Sequence, residues 1–218
     1  MIVYIYCEGS TEKILVDQKI SPFLQSRGVF VSTIMANDGR LGKTGGISSY
    51  SKMKRELTRI CHEHPNELVT TLVDYSPVLE VPFEYDVSGS IYDSVCSKEQ
   101  AIEADMGLGN LLMNFELHEF EAYLYCNAEA FRPYGKNALQ MVGKIVHQAG
   151  SPELINTSPS ALPSRRLNDV IPGYTNSKKI HTTRILEGVS IDQIRSNCQH
   201  FDYWLTRICS SFVAHTGC

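Results

Sequence analysis

The sequence has little that would place it in a membrane or outside a cell. No apolar run approaches the roughly 18 residues of a spanning helix, which excludes a transmembrane helical architecture. The opening MIVYIYCEGSTEK has no basic n-region and carries an acid at position 8, so it does not read as a secretory signal. The 7 cysteines are odd in number, scattered and never spaced C-x-x-C. That argues against a disulfide framework and for reduced thiols in a cytoplasmic protein. Nor does basic charge dominate: 20 Lys and Arg against 24 Asp and Glu leave a net charge of −4. Bulk attraction to nucleic acid is thereby disfavoured, although a local basic patch is not. Internal repeats and low-complexity tracts are absent.

What is present is enough for a substantial core. The chain has 218 residues, 43% of them apolar and 20% charged, a balance far from intrinsic disorder. Residues 2–7 (IVYIYC), 29–36 and 67–74 are β-branched or apolar runs that predict buried strands, and 111–116 suits a fourth. Between them, Ser10 is a plausible N-cap for a helix that Pro22 ends or kinks, and 49–64 reads as a second helix. A short helix fits 98–106, and the HEFEAYLY stretch fits another. Beyond 136 the strands fade into short helices at 136–149, 164–171, 180–187, 190–197 and 200–213, with the Ser/Pro-rich 150–163 as a candidate hinge. The expected architecture is α/β, a mainly parallel sheet with flanking helices over 1–135, followed by a helical C-terminal extension over 136–218 packed on that core.

In an open parallel sheet, functional groups gather at the carboxyl ends of the strands. Acids fall there: Glu8 follows the first strand, Asp74 closes the third, and Glu116 closes the fourth with Glu119 and Glu121 just beyond. Carboxylates from separate strand ends suit Mg²⁺, which takes oxygen ligands, and such a cation assists phosphodiester chemistry. The plainer reading is that acids at strand ends and helix starts offset local dipoles.

Several motifs resemble known families. The segment Val3-Tyr4-Ile5-Tyr6-Cys7-Glu8-Gly9-Ser10-Thr11-Glu12 resembles the V-E-G-x-T-E signature of Toprim-like proteins, seen in OLD-type nucleases and their smaller relatives. More of the chain resembles one bacterial group, domain of unknown function family 4276. Similar segments are Gly45-Gly46-Ile47-Ser48-Ser49-Tyr50, Thr70-Thr71-Leu72-Val73-Asp74-Tyr75 and Leu117-His118-Glu119-Phe120-Glu121-Ala122-Tyr123-Leu124. Pro163-Ser164-Arg165-Arg166-Leu167 and the run from Ile194 to Leu205 complete the set, in order along nearly the whole chain.

The resemblance implies a Rossmann-like Toprim fold that binds Mg²⁺ or Mn²⁺ and cuts nucleic acid. It makes Glu8 the first-strand acid, a metal ligand and general base, and Asp74 the first acid of a D-x-D pair. The second position is Ser76, a poor carboxylate replacement, and Glu119 and Glu121 are best placed to fill in. Glu12 lies one helical turn beyond Glu8 and holds a second metal or orients water. The expected catalytic set is therefore Glu8, Glu12, Asp74 and Glu119, and the metal set Glu8, Asp74, Glu119 and Glu121. His118 is a candidate proton carrier beside them. The resemblance also implies an ATPase encoded alongside, gating the nuclease in a phage-defence module. The alternatives are a non-catalytic Toprim-fold partner subunit or a metal- or nucleotide-binding regulator of an ATPase, and a phosphatase or small-molecule phosphotransferase that shares the metal chemistry.

Basic residues for phosphate contact are Arg40 and Lys43 in a glycine-rich loop, and Arg165, Arg166, Lys178 and Lys179, whose plainer reading is solvated helix charge. Gly39 to Thr44 is not a Walker A loop, because its glycines are separated by 2 residues rather than four. Cys61-His62-Glu63-His64 lacks a partner pair at zinc spacing. The aromatics Phe201 and Trp204 read as core. Ordinary subunit symmetry makes a homodimer a reasonable expectation.

Overall fold

The computed structural model describes residues 1–36, 47, 49–75, 80–156 and 162–213. The chain divides into two compact units, Met1–Asp17 with Ser21–Glu116, and Gln18–Ile20 with Leu117–Cys218. Among the described residues no helix is long and apolar enough to cross a membrane.

The first unit is built on a parallel sheet flanked by helices, the α/β fold expected. Its strands are β1 (Ile2–Cys7), β2 (Phe30–Met35), β3 (Leu68–Asp74), β4 (Leu111–Leu112) and β5 (Phe115–Glu116). The order is β2-β1-β3-β4, with β5 also beside β3, and every pairing is parallel. The chain thus runs outward from β1 to β2, then crosses back to β3. The carboxyl ends of β1 and β3 form the switch point where such sheets open a crevice. β1 and β3 are central, and their near-continuous apolar runs are what burial on both faces demands. Thr70 and Thr71 are nevertheless fully buried in β3. The Thr71 hydroxyl donates to the Asn114 carbonyl (2.7 Å) and accepts from the Asn114 N–H (2.8 Å). This side-chain bridge replaces ladder bonds and splits the expected strand 111–116 into β4 and β5.

The sheet's β4–β5 side is closed by a helix. α4 (Ile91–Met106) presents Glu103, whose Oε1 accepts the Met113 N–H at 2.8 Å, and Glu99, whose Oε1 accepts the Phe115 N–H at 2.7 Å. This helix starts well before the expected 98. Ser90 and Asp93 form a reciprocal capping box, and Gly107, at φ 62°, ends it in the left-handed conformation glycine favours.

α1 (Ser10–Leu15) takes Gly9, not Ser10, as its N-cap, so Ser10 is the first helical residue. A π-turn over Val16–Ile20 follows and leads into α2 (Ser21–Gln25). Pro22 therefore does not end the helix. It sits in the first turn of α2, and the Ser21 N–H reaches back to Val16 O. Proline cannot donate to a carbonyl four residues back, and the wider turn just before it absorbs the change. α3 (Tyr50–Glu63) is capped by the Ser49 side chain, which accepts from Lys52 N. Its buried face is Met53, Leu57, Ile60 and Cys61. Each such aliphatic side chain contributes about 1.5–3 kcal/mol on burial.

The second unit is helical. Phe120–Cys126 and Ala128–Tyr134 are 3₁₀ segments, followed by α5 (Lys136–Ala149), α6 (Pro163–Val170), α7 (Lys178–Glu187), α8 (Ile191–Asn197) and α9 (Gln199–Val213). The HEFEAYLY stretch is helical as expected, but it winds as a 3₁₀ helix over Phe120–Cys126. All seven residues of Phe120–Cys126 are buried, so the segment has no polar stripe to define a 3.6-residue period. Phe120, Tyr123, Phe131, Tyr174, Phe201 and Trp204 fill the core, with Phe201 and Trp204 rings 5.5 Å apart. Glu153, 1% exposed, lies within the stretch read as a hinge and is tied down. Its carboxylate accepts the N–H groups of His200 (3.0 Å) and Phe201 (2.9 Å), capping α9.

Candidate functional site

The first unit brings acids together at its switch point. Asp74 and Glu116 are register partners across β3 and β5, so parallel pairing sets their side chains next to each other. Glu12 joins them from the first turn of α1. One carboxylate oxygen from each of Glu12, Asp74 and Glu116 lies within 4.8 Å of the other two. Glu12 and Glu116 are buried, Asp74 half-buried. Glu8 borders the group. Its N–H donates to Leu72 O (3.1 Å), and its Oε2 accepts the Asp74 N–H (3.3 Å), so it clasps the end of β3 with both backbone and side chain.

Local sequence explains the convergence. Gly9 turns the chain from β1 into α1, and a Cβ there would meet Glu12 Oε2 at 2.9 Å. Its backbone is extended, so glycine is needed for space rather than for φ. Thr11 Oγ1 donates to Glu12 Oε1 at 3.1 Å and fixes the carboxylate over that glycine. The neighbouring Cys7 thiol is held well above its ordinary pKa, first by burial and then by the Glu116 and Glu12 charges.

Three carboxylates this close repel by about 3 to 4 kcal/mol per ionised pair at an effective dielectric near 20. A divalent cation between them reverses that sign. Octahedral Mg²⁺, with oxygens at about 2.1 Å, sets its ligand atoms roughly 3 to 4 Å apart. The three oxygens, all within 4.8 Å of one another, are close to that spacing. The all-oxygen donor set and the glycine cradle fit a hard cation such as Mg²⁺ or Mn²⁺.

The other expected residues fall elsewhere. Glu119 and Glu121 belong to the second unit and are engaged there. Glu119 Oε2 accepts the Ser164 N–H (2.8 Å) and Oε1 the Ser164 hydroxyl (3.0 Å), which caps α6. Burial nonetheless raises its pKa. Glu121, with a side chain 1% exposed, pairs with Lys178 Nζ at 2.6 Å and accepts from Tyr174 Oη at 3.3 Å. Lys178 is thus committed to an ion pair, whereas Arg165 and Lys179 are exposed and Arg166 is half-buried. His118 is half-buried at φ 67°, and burial lowers its pKa. Arg40, Lys43 and Ser76 lie outside the described residues. Cys61 faces the core, Glu63 pairs with Arg59 at 2.9 Å, and His64 stacks on Tyr4 at 3.8 Å, a dispersal that fits no metal site.

Glu116 is legible in the sequence as a strand-end acid, whereas the family motifs single out Glu119 and Glu121. Its signal was the pairing of two strands that both end in an acid.

Fold and site together define an α/β protein with a carboxylate cluster at the switch point of a parallel sheet. The chain belongs to the family Domain of unknown function (DUF4276), whose model matches residues 7–209. A search of the curated proteins finds no match, and neither does a search of the solved structures.

Proposed function

We propose that the protein is a divalent-metal-dependent nuclease of Toprim type, hydrolysing phosphodiester bonds in DNA or RNA. The observation that carries this reading is the convergence of Glu12, Asp74 and Glu116 at the switch point. These three would hold Mg²⁺ or Mn²⁺, with Glu116 supplying the carboxylate that the expected D-x-D pair lacks at Ser76. Bound there, the cation supplies Lewis-acid polarisation of a phosphoryl oxygen and an acidified water. Glu8 is the neighbouring base. Its Oε2 is oriented by the Asp74 N–H, and Oε1 is the atom assigned to take the water's proton. Gly9 and Thr11 hold the Glu12 carboxylate in place. Arg165 and Lys179, both exposed, are assigned to substrate phosphates, where they position without reading sequence. An ATPase encoded alongside fits as the gate for this activity in a phage-defence module.

The test pairs Mn²⁺ and Mg²⁺ calorimetry with nicking of supercoiled plasmid and cleavage of single-stranded RNA. Wild type, Asp74→Asn, Glu116→Gln and Glu119→Gln are compared. The first two substitutions should lose metal binding and cleavage together, and the third should keep both. Binding retained without Asp74 and Glu116 would sink the assignment of the site. Binding without cleavage of either nucleic acid would sink the nuclease reading.

A further inference from the structure

The two edges of the sheet are treated differently. On the β4–β5 side, the N–H groups of Met113 and Phe115 are taken by Glu103 and Glu99 from α4. The β2 side differs: β2 ends the strand order, and among the described residues no strand pairs with its outer side. In a parallel ladder, alternate residues point both backbone groups at the same neighbour. Phe30 N donates to Met1 O (3.0 Å) and Ala36 N to Cys7 O (2.8 Å), so the even-numbered residues of β2 face β1. Val31, Thr33 and Met35 therefore direct their N–H and C=O groups outward.

Edge strands are ordinarily guarded against pairing by charge, proline, a bulge or shortness. Phe30–Met35 (FVSTIM) has six residues, no charge and no proline, and its first residue, Phe30, is 57% exposed. The outward residues are also symmetric about Thr33. Laid antiparallel against itself with Thr33 opposite Thr33, the strand sets Val31 against Met35 and Met35 against Val31. All three become the closely bonded type of antiparallel pair, in which each partner exchanges both hydrogen bonds. No like charges are brought opposite each other, and a β-branched pair stands at the centre.

We propose that the outer edge of β2 is a docking surface for a second copy of this chain, joined β2 to β2 about a twofold axis at Thr33. The sheet then continues across both copies. This inference is independent of the metal chemistry.

The test is the solution mass of the full chain by size exclusion with light scattering, from micromolar concentration upward. Wild type is compared with Thr33→Lys and Thr33→Pro. Lysine sets two like charges opposite each other on the axis. Proline removes an N–H that points away from β1, the side of an edge strand on which proline is tolerated. Wild type should have twice the chain mass, and both variants the single mass with unchanged circular dichroism. Hydrogen exchange provides the second readout. The Val31, Thr33 and Met35 amides should be protected in wild type and lose that protection on dilution. A monomeric wild type overturns the proposal, and so do dimeric variants. If the variants do not fold, exchange in wild type decides: protection that falls on dilution supports the pairing, and unprotected amides overturn it.

Discussion

The carboxylate of Glu8 accepts the backbone N–H of Asp74 at 3.3 Å. One acid thus fixes the strand end on which a second acid stands. Glu8→Gln retains an acceptor at that point and Glu8→Ala does not. Under the proposed function both lose the base, so cleavage falls at least 100-fold in each. Only Glu8→Ala should also weaken Mn²⁺ binding, because only it frees the end of β3. Calorimetry on the two variants separates the roles.

Gly9→Ala tests the cradle under Glu12. The new methyl would sit 2.9 Å from Glu12 Oε2, the mobile end of a side chain, so the carboxylate gives way and the fold does not. Stability should change by less than about 0.5 kcal/mol. Divalent affinity should drop several-fold. Urea melts and metal titration on the same sample read the two effects.

Glu119→Gln and Glu153→Ala separate capping from chemistry. The Glu153 carboxylate accepts two backbone N–H groups at the start of α9, those of His200 and Phe201. Removing it leaves both in a buried place, at a cost of about 2–4 kcal/mol. Glu119→Gln keeps one acceptor for Ser164 and should cost about 1 kcal/mol. Denaturant titration should give that ranking, with metal affinity unchanged in both.

His118 gives a pH dependence with a defined sign. Burial lowers its pKa below the ordinary value near 6.5, so the fold prefers the neutral ring. As pH falls below about 6.5, the unfolded chain binds more protons than the folded one, and stability drops until the folded pKa is passed. Above that window the group has no effect. His118→Asn keeps a side chain that tolerates φ 67° and removes the titration. Unfolding free energies at several pH values between 7.5 and 5 should show a shallower decline in the variant.

Much of the fold could be read from apolar runs, because β1, β3, α3 and α5 are elements whose burial is plain in their composition. α4 was half hidden for a physical reason. Ser94, Lys98 and Glu99 are among its buried residues, so polar side chains interrupt the stripe that periodicity looks for. The site was legible in kind and not in membership. Asp74, Glu12 and Glu116 are all visible in the sequence as acids at element ends, but the juxtaposition of Asp74 with Glu116 comes from a strand pairing that spans 42 residues. The capping role of Glu119 depends on Ser164, 45 residues away, a separation at which no local pattern exists.

The π-turn at Val16–Ile20 has a consequence for the helix that carries Glu12. It holds one residue more than the α-helical path requires, so it acts as a phase slip between α1 and α2. Deleting a single residue there would restore continuous winding and rotate everything downstream by about 100° relative to α1. Leu24, now fully buried, would swing away from its place under the sheet, while Glu12 upstream would keep its azimuth. A length change that is silent in most loops would here exchange an inside for an outside.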